Sequence, residues 1–288
     1  MKIYTFYPGC SLEVSNRPYL LSVNEIFNAL GAKLKELPDW NCCGATLYMG
    51  MDEIKAVYMS ARNMAIAEKD NYDILNACSA CFLTLKKAKD YLLNDSELMQ
   101  KVNSLLKEEN LKFTGRLKIR HVLEVIYNDF KDKISILVKR KFNGLKVACY
   151  YGCQVIRPKT DFDDPEFPNK MDELVNMLGA ASVFFTYKAK CCGGMLMTTS
   201  EDLCLKMVKD ILSSAHNAGA EVILTVCPLC QMNLEAYQDT VNKKYKTKFK
   251  IPILYFTQLM GYAFGIDKDK LGINQNFINV DKILINRY

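Results

Sequence analysis

The sequence predicts an α/β protein made of two duplicated halves, each a small, mostly parallel sheet covered by helices. Segments with strand and helix patterns alternate along the chain, which is typical of parallel sheets. Ten of the twelve cysteines also form one pattern written twice, and 34 residues separate the Cys-Cys pair from the Cys-x-x-Cys motif in both copies. We therefore expect domains at residues 1–141 and 142–288, related by a pseudo-two-fold axis.

In the first half, residues 2–7 alternate and are rich in β-formers, so they predict a strand that ends at Pro8-Gly9 and leaves Cys10 in the following turn. The next segment has helical periodicity and is closed by Gly31. Further strands are predicted at residues 33–37 and 73–77, and helices at residues 18–30, 52–69 and 82–93. The connector at residues 94–141 predicts helices at 96–109 and 121–129.

The second half repeats this order. Its predicted strands are residues 145–151, 181–185 and 221–226, and its predicted helices are residues 170–178, 201–217 and 229–242. Residues 253–265 predict a short strand and helix in the core. Each group of cysteines follows a predicted strand, which is where α/β folds place their ligands. The loops of each half should therefore bring five thiols together.

The two groups of five cysteines are the candidate ligands, and we call them the first and second thiol sets. The first set is Cys10, Cys42, Cys43, Cys78 and Cys81, and the second is Cys153, Cys191, Cys192, Cys227 and Cys230. Four thiolates hold a tetrahedral zinc or a cubane iron–sulfur cluster, so five exceed either need. Adjacent cysteines point in different directions, which favours a multi-iron cluster. Structural zinc stays open because thiolates suit both, whereas disulfides are disfavoured because the N-terminus lacks a signal-peptide pattern.

The residues around these thiols carry a resemblance to a known family. Each half resembles a CCG (cysteine-rich) domain through residues 42–44 and 191–193, both Cys-Cys-Gly. Together with Tyr-Gly-Cys at 151–153, Asp-Asp-Pro at 163–165 and Cys-Cys-Gly-Gly at 191–194, the pair resembles the B-type subunit of heterodisulfide reductase. The segment Trp-Asn-Cys-Cys-Gly-Ala at 40–45 is more similar to B-type subunits of bacterial, sulfur-oxidising or succinate and fumarate reductase complexes.

The resemblance implies a function and a set of partners. It implies two noncubane [4Fe-4S] clusters, one per half, held by the ten cysteines. It implies homolytic reduction of a disulfide between them, which in methanogenesis is the coenzyme M–coenzyme B heterodisulfide. The implied partners are the ferredoxin-like C-type and the flavin-containing A-type subunits of the same complex. Two alternatives stay open: an electron-transfer protein that connects a flavoprotein to a quinone or sulfur carrier, and a zinc- or cluster-stabilised scaffold.

Other polar residues near the thiols are weaker candidates. Arg157, Lys159, Lys188 and Lys190 follow or precede cysteines of the second thiol set in sequence and are candidates for binding an anionic substrate. His121 is a candidate proton donor or a packed histidine, and Tyr151 lies two residues before Cys153. Cys149, on a predicted strand, and Cys204, in a predicted helix, are interpreted as small buried hydrophobic residues.

Composition limits the other classes of function. The 288-residue chain is 50% hydrophobic and has a net charge of +6 with scattered Lys and Arg, so it predicts a globular protein without a nucleic-acid recognition motif. No apolar run reaches the ~18 residues of a membrane span. We expect a cytoplasmic protein whose membrane contact runs through partners or the amphipathic segment at residues 253–265. No Gly-x-Gly-x-x-Gly motif for nicotinamide or flavin is present.

Overall fold

Two four-stranded parallel sheets, one in each half, form the framework of the computed structural model, which describes residues 1–45, 47–157 and 162–287. The strands are β1 (Ile3–Tyr7), β2 (Lys33–Glu36), β3 (Ile74–Asn76), β4 (Ile119–His121), β5 (Lys146–Tyr150), β6 (Ala181–Ser182), β7 (Val222–Thr225) and β8 (Ile253–Tyr255). The sheet orders are β2-β1-β3-β4 and β6-β5-β7-β8, with every neighbouring pair parallel. The predicted α/β fold with two equivalent halves is confirmed.

Helices cover both sheets, as parallel strands require. They are α1 (Gly9–Glu13), α2 (Arg17–Ala29), α3 (Leu47–Met51), α4 (Glu53–Glu68), α5 (Ser79–Asn94), α6 (Ser96–Leu106), α7 (Val122–Leu137), α8 (Lys170–Met177), α9 (Glu201–Asn217), α10 (Pro228–Ala236), α11 (Gln238–Tyr245), α12 (Phe256–Ala263) and α13 (Asp281–Ile285). Short 3₁₀ turns lie at Lys107–Glu109, Gly194–Thr198 and Ile273–Gln275. Among the described residues no helix has the length and apolar character needed to span a bilayer.

The ends of the elements follow local chemistry. The Asp52 carboxylate accepts the Lys55 backbone N–H and starts α4. Helix α2 is followed by Gly31 at φ +72°, a left-handed conformation that glycine adopts at little cost. Cys78 and Cys227 are the N-caps of α5 and α10, so both Cys-x-x-Cys motifs sit where a central strand passes into a helix.

The halves pack against each other through a reciprocal helix interface. Helix α2 contacts α12, and α7 contacts α8. Because α2 and α8 follow the first strands of their halves and α7 and α12 follow the last, the two contacts are the same pairing made twice, as a pseudo-two-fold axis requires. One hydrophobic core runs through this interface and joins both halves, with Tyr19, Leu123 and Leu259 buried in it. The two sheets lie on either side of the predicted boundary between residues 141 and 142.

Several predicted elements differ from those observed. Cys10 lies in helix α1 and not in an open turn, because Pro8, with φ −69°, starts a helical turn directly after β1. The sequence pattern missed strand β4, whose polar residues Arg120 and His121 acquire strand geometry by pairing with β3. The predicted helix at 229–242 is two helices broken at Tyr237. The predicted strand at 181–185 is only two residues long, and α5 begins at Ser79, before residue 82.

Candidate functional site

The first thiol set lies at the carboxyl edge of the first sheet. Cys43 and Cys81 are buried with their sulfurs 3.3 Å apart. Cys42 hydrogen-bonds to Cys43 and Cys78 to Cys81, so four thiols form a row in the order 42, 43, 81, 78. Hydrogen bonds from Cys42 and then Cys81 hold the pKa of Cys43 well below its usual range. Cys10 is exposed and lies close enough to Cys42 to raise its pKa further.

The second thiol set repeats this row and extends it. The sulfurs of Cys192 and Cys230 are 3.6 Å apart. Hydrogen bonds join Cys153 to Cys191, Cys191 to Cys192, and Cys230 to Cys227, so all five thiols form one continuous row. Hydrogen bonds from Cys153 and Cys192 lower the pKa of Cys191 to about 2, and the same contact with Cys191 raises the pKa of Cys192 to about 12. Lowered pKa values therefore favour the thiolate at Cys191 and Cys227, and raised pKa values favour the thiol at Cys153, Cys192 and Cys230.

Backbone N–H groups after each Cys-Cys pair point at its sulfurs. Gly44 N is 3.5 Å from the Cys42 sulfur, and Gly193 N is 3.3 Å from the Cys191 sulfur. Gly194 N is 3.4 Å from the Cys192 sulfur. N–H donors stabilise thiolates in preference to thiols. Both loops therefore direct backbone N–H donors at cysteine sulfurs.

A buried tyrosine at the end of the first strand of each half positions the Cys-Cys loop. The Tyr7 hydroxyl donates to the Asn41 carbonyl at 2.9 Å, and the Tyr150 hydroxyl donates to the Lys190 carbonyl at 2.6 Å. Asn41 and Lys190 each directly precede the Cys-Cys pair. Burial raises the pKa of both tyrosines, so each stays a neutral donor. These tyrosines hold the two loops in equivalent positions.

A glycine before the first cysteine of each half makes room for the thiol row. Gly9 has φ +69°, and a Cβ placed there would lie 2.9 Å from the Cys81 sulfur. Gly152 has φ +67°, and its Cβ would lie 3.1 Å from the Cys230 sulfur. Real Cβ atoms essentially never approach within 3.0 Å of a neighbour and rarely within 3.4 Å. The sulfurs therefore occupy space that only glycine leaves free.

The two thiol rows fit a polynuclear metal–sulfur group. Two thiolates on one tetrahedral metal, at ~2.3 Å each, lie roughly 3.8 Å apart, close to the separations of 3.3 Å and 3.6 Å observed. In the part of the chain that the structure describes, no three Cys, His, Asp or Glu side chains are arranged to hold one metal ion. The thiols instead spread along a row, and soft thiolates in such numbers suit an iron–sulfur cluster.

The two sites adjoin at the junction of the halves. Ser79, next to Cys78 in the first half, donates to the carbonyl of Val226, the residue directly before Cys227 in the second half, at 3.1 Å. The Tyr19 hydroxyl donates to the same carbonyl at 3.3 Å. The Tyr19 ring stacks on Tyr255 with centroids 4.0 Å apart, and both rings lie near Cys78 and Cys227. The Cys-x-x-Cys segments of the two halves are therefore neighbours across a closely packed junction.

A small cleft of about 50 Å³ opens onto the second thiol set. Among the described residues, its lining contains no Lys, Arg, Asp or Glu side chain and consists of Ser79, Tyr151, Cys153, Gln154, Cys191, Cys192, Gly194, Cys227, Leu229 and Cys230. Ser79 comes from the first half, so the cleft lies at the junction. A molecule in this cleft would contact the second thiol set directly.

The cationic residues expected to bind an anionic substrate are mostly engaged elsewhere. Lys188 is buried, and its ammonium donates to both oxygens of the Asp172 carboxylate at 2.9 Å. Arg157 donates to Glu166 at 2.9 Å and to the Pro165 carbonyl. Lys190 is exposed, and Lys159 lies outside the described residues. The structure therefore places no described cation in the cleft lining.

The other candidates also occupy definite positions. His121 is fully buried; its Nε2 faces the Ala77 carbonyl at 3.1 Å, its Nδ1 accepts the Leu123 N–H, and burial lowers its pKa to about 4. Tyr151 is buried, donates to Asp172 and accepts the Met171 N–H, so its hydroxyl caps α8. The histidine of β4 is thus neutral and belongs to the packed junction.

The two cysteines outside the motif differ from each other. Cys149 is buried on β5, and the charged groups near its thiol are Asp172 and Lys188, not members of the thiol row. Cys204, buried in α9, lies with its sulfur 3.6 Å from the Cys192 carbonyl, behind the second Cys-Cys loop. The sequence correctly predicted that both are buried, but it did not show that Cys204 packs against the second Cys-Cys loop. It also missed the roles of Tyr7, Tyr150 and Ser79, although both tyrosines stand three residues before the first cysteine of their half.

The fold and the two thiol sets define a protein with two tandem cysteine-rich domains. The family model described as CCG, cysteine-rich domain, matches residues 4–86 and 147–235. The chain belongs to this family and, within it, to the group of B-type subunits of heterodisulfide reductase. The resemblance seen in the motifs is confirmed.

Named relatives cover nearly the whole chain. The 8-methylmenaquinol:fumarate reductase membrane anchor subunit of Wolinella succinogenes is 35% identical over 98% of this chain and 99% of its own length. The B-type subunit of the ferredoxin:CoB-CoM heterodisulfide reductase of Methanosarcina mazei is 35% identical over 88% of this chain and 86% of its own. A protein of Archaeoglobus profundus, named as similar to the B-type subunit of heterodisulfide reductase, is 30% identical over 93% of this chain and 92% of its own.

A solved structure shares the fold. A hypothetical protein from Helicobacter pylori superimposes with a TM-score of 0.78 at 19% identity and covers 97% of this chain. This chain spans about half, 53%, of that structure's length. The structural similarity extends over both halves, and it supports the fold alone.

Proposed function

We propose that the protein is the iron–sulfur electron-transfer subunit of a multi-subunit oxidoreductase, with one cluster in each half bound by the thiol set of that half. The observation that carries the proposal is the pair of equivalent thiol rows, which adjoin where the Ser79 hydroxyl of the first half donates to the Val226 carbonyl of the second. The bound clusters would supply one-electron redox chemistry. The chain's own residues hold the thiolates, exclude water from Cys78 and Cys227, and keep the two sites adjacent.

The ten cysteines have distinct tasks in this proposal. Cys43, Cys78, Cys81, Cys192, Cys227 and Cys230 are buried and form the inner ends of the two rows. Cys10, Cys42, Cys153 and Cys191 are partly or fully exposed and face the outside. Five thiols per half exceed the four that a cubane uses, which supports a noncubane cluster that engages all five. The Tyr7 and Tyr150 hydroxyls keep the two loops in register.

The electron acceptor or donor is proposed to bind at the cleft of the second half. No cationic side chain of the described residues lines the cleft, and Lys188 and Arg157 are paired with carboxylates. This favours an uncharged acceptor such as a quinone over a strongly anionic thiol cofactor. The relative from Wolinella succinogenes is named for an 8-methylmenaquinol:fumarate reductase, and that name agrees with this choice.

A partner surface is proposed around the thiol sets. Val14, Met51 and Met195 are exposed, and each follows a cysteine of the first or second set by eight residues or fewer. Exposed apolar side chains grouped around a functional site commonly mark a protein interface. The proposed occupants are redox partners that resemble the ferredoxin-like C-type and flavin-containing A-type subunits, because the relatives are themselves named as parts of multi-subunit reductases.

Disulfide reduction is the second candidate. It is favoured by the cleft, which opens directly onto the sulfurs of the second thiol set. The heterodisulfide reductase relatives support it by name. Here the two electrons that a disulfide needs would come one from each half, and the released thiolates would take protons from solvent.

Anaerobic iron, zinc and sulfide analysis with EPR spectroscopy tests both candidates. We expect about eight irons and eight sulfides per chain. Cys42→Ser and Cys192→Ser should each lose or alter one cluster and spare the other, whereas Cys149→Ser and Cys204→Ser should keep the full iron content. One or two zinc ions without sulfide would contradict the proposal. A paramagnetic signal in oxidised protein that appears only with added thiol would favour disulfide reduction, and its absence electron transfer.

A further inference from the structure

The two thiol sets differ in the side chains that surround them. In the first half, the Cys43 carbonyl accepts the Ser60 hydroxyl of α4 at 2.9 Å. In the second half, Val208 occupies the matching position of α9, since α4 and α9 begin at Glu53 and Glu201. Valine has no donor. From α9 the Cys192 carbonyl therefore receives only the weak thiol donor of Cys204 at 3.6 Å, and a stronger donor comes from another element.

Asn233 of α10 is that donor, and it also reaches a sulfur. Its side chain is 3% exposed. Its Nδ2 lies 2.9 Å from the Gly194 carbonyl, 3.3 Å from the Cys192 carbonyl and 3.5 Å from the Cys192 sulfur. The two carbonyls determine which end of the amide faces the loop, because both are acceptors only. One N–H of Asn233 faces the Gly194 carbonyl, and the other is shared between the carbonyl and the sulfur of Cys192.

The equivalent residue of the first half is directed elsewhere. The repeat of 149 residues that relates Cys78 to Cys227 relates Thr84 to Asn233. Thr84 donates its hydroxyl to the Ala80 carbonyl of its own helix at 2.9 Å. Among the described residues, the hydrogen bonds to the sulfurs of the first thiol set come from backbone N–H groups and neighbouring thiols.

A second side-chain donor strengthens the difference. Ser79 of the first half donates its hydroxyl to the carbonyl of Val226, the residue directly before Cys227 of the second thiol set. The residue that matches Ser79 in the repeat is Pro228, which has neither a hydroxyl nor a backbone N–H to offer the first set. The first half therefore places a hydroxyl donor beside the second thiol set, whereas the matching Pro228 places none beside the first.

We propose that Asn233 is a positioning residue that raises the reduction potential of the second site above that of the first. A reduced cluster carries one more negative charge, and an N–H directed at its sulfur ligand stabilises that charge, so hydrogen bonds to sulfur raise the potential. One electron shared by the two sites would then reside preferentially at the second site, leaving the first oxidised. This distribution involves no bond formation or proton transfer. The electron therefore rests beside the cleft. This inference rests on the proposed function, since it requires a cluster in each half.

The test is an anaerobic redox titration followed by EPR, with iron content measured on the same samples. The wild-type protein should show two reduction steps. Asn233→Leu, of similar volume, and Asn233→Thr, which introduces the residue of the first half, should both lower the higher step. The expected change is about tenfold in the reduction equilibrium, about 59 mV for one electron. Thr84→Val, the matched control, should move neither step.

The outcomes separate this inference from the proposed function. Iron-replete Asn233 variants with an unchanged higher step would overturn the inference and leave the proposed function intact. A shift of both steps together, or the same shift in Thr84→Val, would also overturn it. Wild-type protein without iron and sulfide would overturn both. A lowered higher step in either Asn233 variant, with the lower step unmoved, supports the assignment.

Discussion

Gly9→Ala tests whether the space beside the first thiol set is essential. The residue has φ +69°, and a non-glycine residue in this left-handed region costs roughly 1–2 kcal/mol. Its Cβ would also lie 2.9 Å from the buried Cys81 sulfur. Relieving such a contact in a packed core costs about 1–3 kcal/mol. We therefore expect a total loss of roughly 2–5 kcal/mol in the free energy of unfolding.

Gly144→Ala is the matched control for this substitution. Gly144 has φ +67°, but a Cβ there would have no heavy atom within 4 Å. It should lose only the conformational contribution, roughly 1–2 kcal/mol. The difference in stability of the two variants isolates the contact with the Cys81 sulfur from backbone strain.

Urea unfolding of the metal-free protein and iron per chain of the reconstituted protein are the two measurements. Gly9→Ala should be less stable than Gly144→Ala and should hold about half as much iron, because displacement of Cys81 disturbs the first thiol set. Gly152→Ala, with its Cβ 3.1 Å from the Cys230 sulfur, should affect the second set in the same way but less strongly. Equal stability of the Gly9 and Gly144 variants, both with full iron, would refute this reasoning.

Three further predictions concern groups around the sites. The pKa of His121 is about 4 in the folded protein and about 6.5 in the unfolded chain. Above pH 6.5 this difference contributes about 3 kcal/mol to the free energy of unfolding, and the contribution is lost as the pH falls towards 4. His121→Gln should flatten this pH dependence in urea titrations, whereas the control His216→Gln, at an exposed position, should leave it in place. Lys188→Met should lower the free energy of unfolding by about 3–5 kcal/mol because it leaves the mostly buried Asp172 without its cation. The control is Lys190→Met, at an exposed position. An unchanged free energy of unfolding in Lys188→Met would contradict a stabilising role for the ion pair. Tyr150→Phe should lower the free energy of unfolding by about 1 kcal/mol, because it removes the hydrogen bond to the carbonyl before Cys191. It should change the EPR signal of the second half alone. Tyr7→Phe should have the same effects on the first half.

The cysteines carried most of what could be predicted from the sequence. Their doubled spacing predicted the duplication, and together with the alternating strand and helix patterns, which predicted the parallel sheets, it predicted the convergence of each thiol set at a strand edge. These features depend on order along the chain, because a cysteine directly after a parallel strand must lie at the carboxyl edge of its sheet. Helix α9, predicted at residues 201–217, was located to the residue because its long periodic pattern is a local property.

Tertiary structure decided the features that depend on contacts of distant segments. Strand β4 forms because β3 offers it hydrogen bonds, although its own residues do not favour a strand. The charge of Lys188 is neutralised by Asp172, sixteen residues earlier, so its availability for a substrate was not readable from its position close to Cys191.

The order of the two thiol rows and their meeting at Ser79 likewise required the folded chain. Composition and spacing determined that five thiols gather in each half, because the ligand residues and the strand ends are local properties of the sequence. Only packing decided that the halves face each other with Cys78 and Cys227 as neighbours, and that Asn233 serves one half while Thr84 does not serve the other. The physical reason is that hydrogen-bond partners and buried space are set by segments far apart in the chain, which local patterns do not relate to one another.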